Sequence, residues 1–139
     1  TEARMQTARL TSAKLAGAVL DRSILRDAKA NNCDFTGASF QNTNLDRTIL
    51  GHSKFDKAIM NGASFSQADA SAASFSGATI TQTDFYDADL RRAHFDGAVV
   101  SANRFSLAAV DENTFTGGTL TNNFGPDTRL HAQGASDGE

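Results

Sequence analysis

The chain has 139 residues, with 13 Lys and Arg against 16 Asp and Glu, a net charge of -3 and a single cysteine. That length bounds it to one domain, and one cysteine excludes both a disulfide framework and a thiolate metal cluster. A pI near 5.5 opposes attraction to nucleic-acid phosphates, and no run of about 18 apolar residues is present to span a membrane.

From position 5 through 120, every fifth residue is apolar or alanine, twenty-four positions in succession. Residues five apart point to opposite faces of a strand and smear around a helix. The chain must therefore turn a corner at each repeat so that every fifth side chain points inward again, which predicts a solenoid. A second period gives the number of sides. Phe35, Phe55, Phe75, Phe95 and Phe115 are spaced by twenty, a second series holds Phe65, Phe85 and Phe105, and Gly17, Gly37, Gly77, Gly97 and Gly117 keep the same interval with Lys57 interrupting. Twenty residues are four units of five, so the predicted cross-section is a square. The glycines fit its corners, where backbone freedom is needed.

Individual units carry a family resemblance: Ala-Lys-Leu at 13–15, Cys-Asp-Phe at 33–35, Thr-Asn-Leu at 43–45 and Ala-Asp-Leu at 88–90. These resemble the Ala-(Asp/Asn)-Leu-x-x units of pentapeptide-repeat proteins, and the likeness runs over roughly residues 3 to 120. It implies an all-β fold, a right-handed quadrilateral parallel β-helix of about six coils, with the handedness taken from the family.

Taken in chain order, the expected core layers begin with Met5, Leu10, Leu15 and Leu20, then Leu25, Ala30, Phe35 and Phe40. The third and fourth hold Leu45, Leu50, Phe55 and Met60, then Phe65, Ala70, Phe75 and Ile80. The fifth and sixth hold Phe85, Leu90, Phe95 and Val100, then Phe105, Val110, Phe115 and Leu120. Both alanines share a layer with two phenylalanines, which balances volume within a fixed cross-section. Two residues before each core position runs a second inward set of small residues, including Ala8, Ala18, Ala28, Cys33, Ala38, Ser53 and Ala63. Asn103, Asn113 and Gly118 depart from it, which predicts a looser, wetter final coil.

The β-helix is expected over 1–125, with Phe124 folded over the last layer as a lid and 126–139 as a polar, flexible tail. The first repeat begins at Ala3 without a cap for its edge, which predicts a mature product or excised domain. A cytoplasmic location is favoured over a mature organellar or secreted one.

Chemistry is sparse. Cys33 fills a packing position, His52, His94 and His131 map to different sides or the tail, and no metal site is expected. Asp69, Asp84 and Asp89 each precede a core residue, where the family pattern places Asp or Asn anyway, and a solenoid offers no cleft to raise a carboxylate pKa. Catalytic residues and cofactors are expected to be absent, and the chain is read as not an enzyme.

Function is therefore expected on the surface. The side built on Leu20, Phe40, Met60, Ile80, Val100 and Leu120 has Asp21 and Arg22 as its sole ionised groups. Before its core residues run Val19, Ser39, Ile59, Thr79, Val99 and Thr119, a β-branched and hydroxylic ladder predicted as a protein-binding face. The same pattern is also what simple β-propensity on an exposed face gives. An unidentified protein is the expected partner, with a second copy, by face or coil-end stacking, as the other. The resemblance also implies an alternative, since some pentapeptide-repeat proteins mimic duplex DNA and protect type II topoisomerases from quinolones. Mimicry needs a broad negative surface, whereas residues 3–120 hold twelve acids against twelve bases. A structural or targeting domain of a larger secreted or organellar protein is the third reading.

Overall fold

Residues twenty apart pair with one another along the chain. The structure, a computed structural model, describes residues 2–125 together with 136 and 137. Parallel bridges join Arg4 to Ile24, Ile24 to Asn44, Arg9 to Lys29 and Lys14 to Asp34, and continue at the same interval as far as Arg104 and Phe124. The backbone thus winds as a four-sided parallel β-helix. Each inter-coil step uses the same donors: the Phe55 N–H donates to the Ser74 carbonyl at 2.6 Å, and the Lys54 N–H to the Cys33 carbonyl at 2.9 Å.

The sides are numbered here in chain order by their inward residues. Side 1 carries Met5, Leu25, Leu45, Phe65, Phe85 and Phe105. Side 2 carries Leu10, Ala30, Leu50, Ala70, Leu90 and Val110. Side 3 carries Leu15 and the Phe35 to Phe115 series, and side 4 runs from Leu20 to Leu120. From Leu20 onward these residues form one buried core, with Met5, Leu10 and Leu15 partly buried against it. Burying each large side chain contributes about 1.5–3 kcal/mol. On side 3, Phe55, Phe75 and Phe95 stack with ring centroids 5.0 and 4.9 Å apart; on side 1, Phe65, Phe85 and Phe105 stack at 5.1 Å. The two columns meet edge to face across the axis, Phe75 lying 6.4 Å from Phe65 and 6.3 Å from Phe85. Each side 2 alanine shares its layer with two phenylalanines, Ala70 with Phe65 and Phe75 and Ala30 with Phe35 and Phe40, whose rings meet edge to face at 5.2 Å.

Corners are made by tight turns. The Ala58 N–H donates back to the Phe55 carbonyl at 3.0 Å, and the residue before it, Lys57, has φ +60°. Positive φ at the third position is the signature of a type II turn. Gly17, Gly37, Gly77, Gly97 and Gly117 occupy this corner position, as predicted, yet nineteen non-glycine residues among those described adopt φ between 48° and 63° as well. Such a conformation costs an L-residue roughly 1–2 kcal/mol, so the stacked coils, and not local preference, impose it.

Side 4 extends further than the others. It forms the strands β1 (Ile59–Asn61), β2 (Thr79–Thr81), β3 (Val99–Ser101), β4 (Thr119–Thr121) and β5 (Ser136–Asp137), paired in that order and all parallel. At the corners after β2 and β3 the usual turn closure is replaced. The N–H groups of Thr83 and Asn103 donate instead to the side-chain carbonyls of Asn103 and Asn123, one coil on, at 2.8 and 3.0 Å.

Two expectations are corrected here. Asn103 and Gly118 do not loosen the chain where they fall, whereas Asn113 stays partly exposed and the corner at 116–117 lacks the usual turn. Asn103 is 0% exposed because its amide does the work of a turn: besides receiving Thr83, its Nδ2 donates to the Ile80 carbonyl at 2.8 Å. Asn123 repeats this on the Val100 carbonyl at 2.9 Å, and the Asn113 amide is placed to donate to Val110 and Leu90. Gly118 marks crowding: a Cβ there would lie 2.5 Å from the Ala98 carbonyl oxygen and 2.7 Å from the Phe115 ring. Nor does Phe124 cover the last layer. It pairs with Arg104 as the next outward rung, 63% exposed, and Gly125 takes the position where a core residue would fall. The tail expected over 126–139 lies outside the described residues except for Ser136–Asp137, which pair with Thr119 and Leu120.

Candidate interaction faces

The predicted side 4 ladder is one continuous column. Val19 pairs with Ser39 and Ser39 with Ile59; the register then carries Ile59 to Thr79, Thr79 to Val99 and Val99 to Thr119. These residues sit outward because each precedes an inward one, and strand side chains alternate. Val19, Ile59 and Val99 are 54%, 48% and 42% exposed. Rungs about 4.8 Å apart make the column flat. Its two charges are held at the amino-terminal end: Asp21 accepts the Ser39 hydroxyl at 2.6 Å and the Gln41 N–H at 2.9 Å, and Arg22 pairs with Glu2 at 3.1 Å.

The remaining sides carry charge, and most carboxylates are occupied by the fold. Asp69 accepts the N–H and hydroxyl of Ser71, Asp84 accepts the Tyr86 N–H, and Asp89 takes the Arg91 N–H and guanidinium. Thr36, through its hydroxyl and N–H, holds the Asp34 carboxyl below the usual range, and the Arg91 guanidinium does the same for Asp89. Neither Asp34 nor Asp89 is raised toward a proton-transfer role, and Asp69 and Asp89 are neighbours only as successive rungs. A second set was missed from the sequence: Asp21, Asp46, Asp56 and Asp96 reach across to Ser39, Ser64, Ser74 and Thr114 on the next coil. Its signal was an aspartate followed eighteen residues later by Ser or Thr.

An open recess of about 310 Å³ lies on side 3, where Lys14 and Lys54 flank Asp34, with His52 and Cys33 at its wall. Cys33 is buried, its Sγ donating to the Leu10 carbonyl at 2.8 Å, and burial pushes its thiol pKa up. Thr43, Thr48 and Ser53 make the same contact to the carbonyls of Leu20, Leu25 and Ala30. Cys33 is therefore one of a series of corner donors and is kept as a neutral thiol, not a nucleophile. Among the described residues no group of three His, Cys, Asp or Glu is placed to hold a metal ion. His94 bonds Thr114 at 2.9 Å through Nδ1; His131 lies outside the described residues. Among the described residues no helix is long and apolar enough to cross a membrane.

The model of pentapeptide repeats matches residues 3–42, 33–69 and 58–97, with eight copies. Comparison with curated proteins gives no significant match. Among solved structures, the pentapeptide repeat protein Rfr23 of the cyanobacterium Cyanothece 51142 superposes with a TM-score of 0.65 at 21% identity, over 79% of this chain and 86% of that one. A pentapeptide repeat protein of the Arabidopsis thaliana thylakoid lumen gives 0.57 at 22% identity, over 81% and 72%. The plasmid-mediated fluoroquinolone resistance protein QnrB1 gives 0.36 at 21% identity, over 96% and 81%, a superposition too poor to carry an argument. Repeat match, square cross-section and the twenty-residue register held from Arg4 to Phe124 agree: the chain belongs to the pentapeptide-repeat family and folds as its right-handed quadrilateral β-helix.

Proposed function

We propose that this chain is a non-enzymatic interaction scaffold that docks a protein partner on side 4. One observation carries the reading: an uncharged, flat column from coil 3 to coil 6 that leaves Ile59 and Val99 about half exposed on strands. Scattered exposed apolar residues need no explanation, but a contiguous neutral strip is what the centre of an interface requires, since charged residues are depleted there. The rigid backbone lowers the ordering cost of binding.

The test is a double substitution, Ile59→Lys with Val99→Lys, in capture of partners from a native extract. Capture is expected to be lost, with circular dichroism unchanged because both side chains project outward. Retention of the same partners at the same yield overturns the reading. The DNA-mimic alternative has an independent assay, gyrase supercoiling at micromolar protein, where protection against a quinolone decides for it.

A further inference from the structure

Side 2 carries an outward ladder of Arg9, Lys29, Ile49, Asp69, Asp89 and Ala109, joined rung to rung. It is basic over two rungs, apolar in the middle and acidic over the next two. Among the described residues the Arg9 and Lys29 side chains have no hydrogen-bond or ion-pair partner, and Ile49 is 41% exposed. The pattern is its own complement under reversal. From these positions we infer that side 2 is a self-association face, on which a second copy of the chain packs antiparallel about a two-fold axis at Ile49.

A two-fold axis lying in the interface, perpendicular to the rods, sets Arg9 against Asp89 of the second copy, Lys29 against Asp69, and Ile49 against Ile49. Each contact occurs twice except the last, as an isologous interface demands. Near the axis the flanking positions do not obstruct this; at the far end the exposed Arg91 and Arg92 sit opposite Thr11 and Ser12 of the second copy. Gly51 is buried in the wall beside Ile49, and Ser71 and Ala72 are small. Arg47, which meets its own copy near the axis, is already neutralised by Asp27 at 2.9 and 3.2 Å. Asp89 is bound by Arg91, but an ionised carboxylate has about four acceptor sites, so it receives Arg9 as well.

Charge across the whole chain selects the same orientation. Residues 1–60 hold nine bases and six acids, and residues 61–139 hold four bases and ten acids. A parallel pair sets like halves together, and an antiparallel pair sets the basic half against the acidic half. Side 3 does not repeat this ladder: its charges run Lys14, Asp34 and Lys54, and reversal about Asp34 sets lysine against lysine. A side of roughly 29 Å by 10 Å is smaller than the about 800 Å² per partner of a standard interface, so the dimer is weak and sensitive to salt.

Sedimentation of the full chain up to about 1 mM provides the test, using paired charge reversals. Arg9→Asp with Lys29→Asp makes the ladder wholly acidic; Asp69→Lys with Asp89→Lys makes it wholly basic. Each variant alone is expected to be monomeric, and an equimolar mixture is expected to re-form a dimer of one copy of each. For the wild type, raising salt from about 0.01 M to about 1 M, which shortens the Debye length from about 30 to 3 Å, is expected to weaken the dimer about tenfold. Ile49→Lys, which changes no ion pair, serves if a double variant fails to fold, and is expected to give monomer. A wild type that stays monomeric throughout, variants that dimerise alone, a mixture that stays monomeric, or a dimer lost on Ile59→Lys but kept on Ile49→Lys each overturn the proposal.

Discussion

Replacing Asn103 by alanine isolates what the asparagine corner contributes. Alanine fits the site, because Ala63 holds the equivalent position two coils earlier and is itself buried; the cost therefore comes from polar groups and not from shape. Two buried backbone groups lose their side-chain partner, the Thr83 N–H and the Ile80 carbonyl, each bonded at 2.8 Å. An unsatisfied buried group costs about 1–3 kcal/mol, so Asn103→Ala is expected to lower stability by about 3 kcal/mol after partial relaxation, a large share of the about 5–15 kcal/mol typical of a domain. Urea unfolding followed by far-ultraviolet circular dichroism reads it, with the exposed Gln41→Ala as a control expected within about 0.5 kcal/mol. A loss below about 1 kcal/mol would refute the reasoning, by showing that the corner satisfies itself without the amide.

Further outcomes are expected from the core, the last corner and the titrating groups. Phe75→Ala, which removes a ring stacked on both sides and met edge-on by two more, should cost about 5 kcal/mol, the upper end for phenylalanine. Phe115→Ala should cost less, near 3 kcal/mol, because its centroid is 6.2 Å from Phe95; equal losses in urea titrations would discount the stacking. Gly118→Ala forces a methyl group onto the Ala98 carbonyl and the Phe115 ring and should destabilise by about 1–3 kcal/mol, with a matching fall in Tm. Stability should also decline in acid. The carboxyls of Asp27, lowered by Arg47, of Asp34, lowered by Thr36, and of Asp89, lowered by Arg91, contribute fully above the unfolded value near 3.9. That contribution is lost as pH falls through the folded values. The raised Cys33 thiol has the opposite sense: its contribution is complete below the unfolded value of about 8.5 and disappears as pH rises. Cys33→Ala should therefore flatten the alkaline side of a Tm–pH curve and leave the acid side in place.

Much of the fold was legible because one geometric rule, an inward side chain at each fifth residue, leaves its trace in the simplest property a residue has, its apolarity. Leu25, Phe55 and Val100 could be placed in layers from spacing alone. Asn103 could not be read this way, since polarity signals exposure until both ends of an amide find backbone partners, and those partners belong to other coils. Phe124 misled for a related reason. An aromatic one position off the core rhythm resembles a lid, but that position is the outward rung, and Gly125 carries the inward one. The corner glycines were legible in place but not in number, because Lys57, Arg92 and Thr7 show the same left-handed backbone without any residue preference to announce it. On the surface, Val19, Ile59 and Val99 stood out by lacking charge. The side 2 ladder was less visible because its meaning lies in the order of charges along one side, which appears only once the sides are separated.

The twenty-residue register from Arg4 to Phe124 has a mechanical consequence. Height along the rod depends on sequence position divided by twenty, and direction depends on the remainder. Removing one whole coil shortens the rod and leaves every face continuous. Removing a single unit of five turns everything after it by a quarter revolution. The neutral strands beyond the cut would then continue the line of a charged ladder, so in this molecule an insertion or deletion alters function by steering faces before it alters any residue on them.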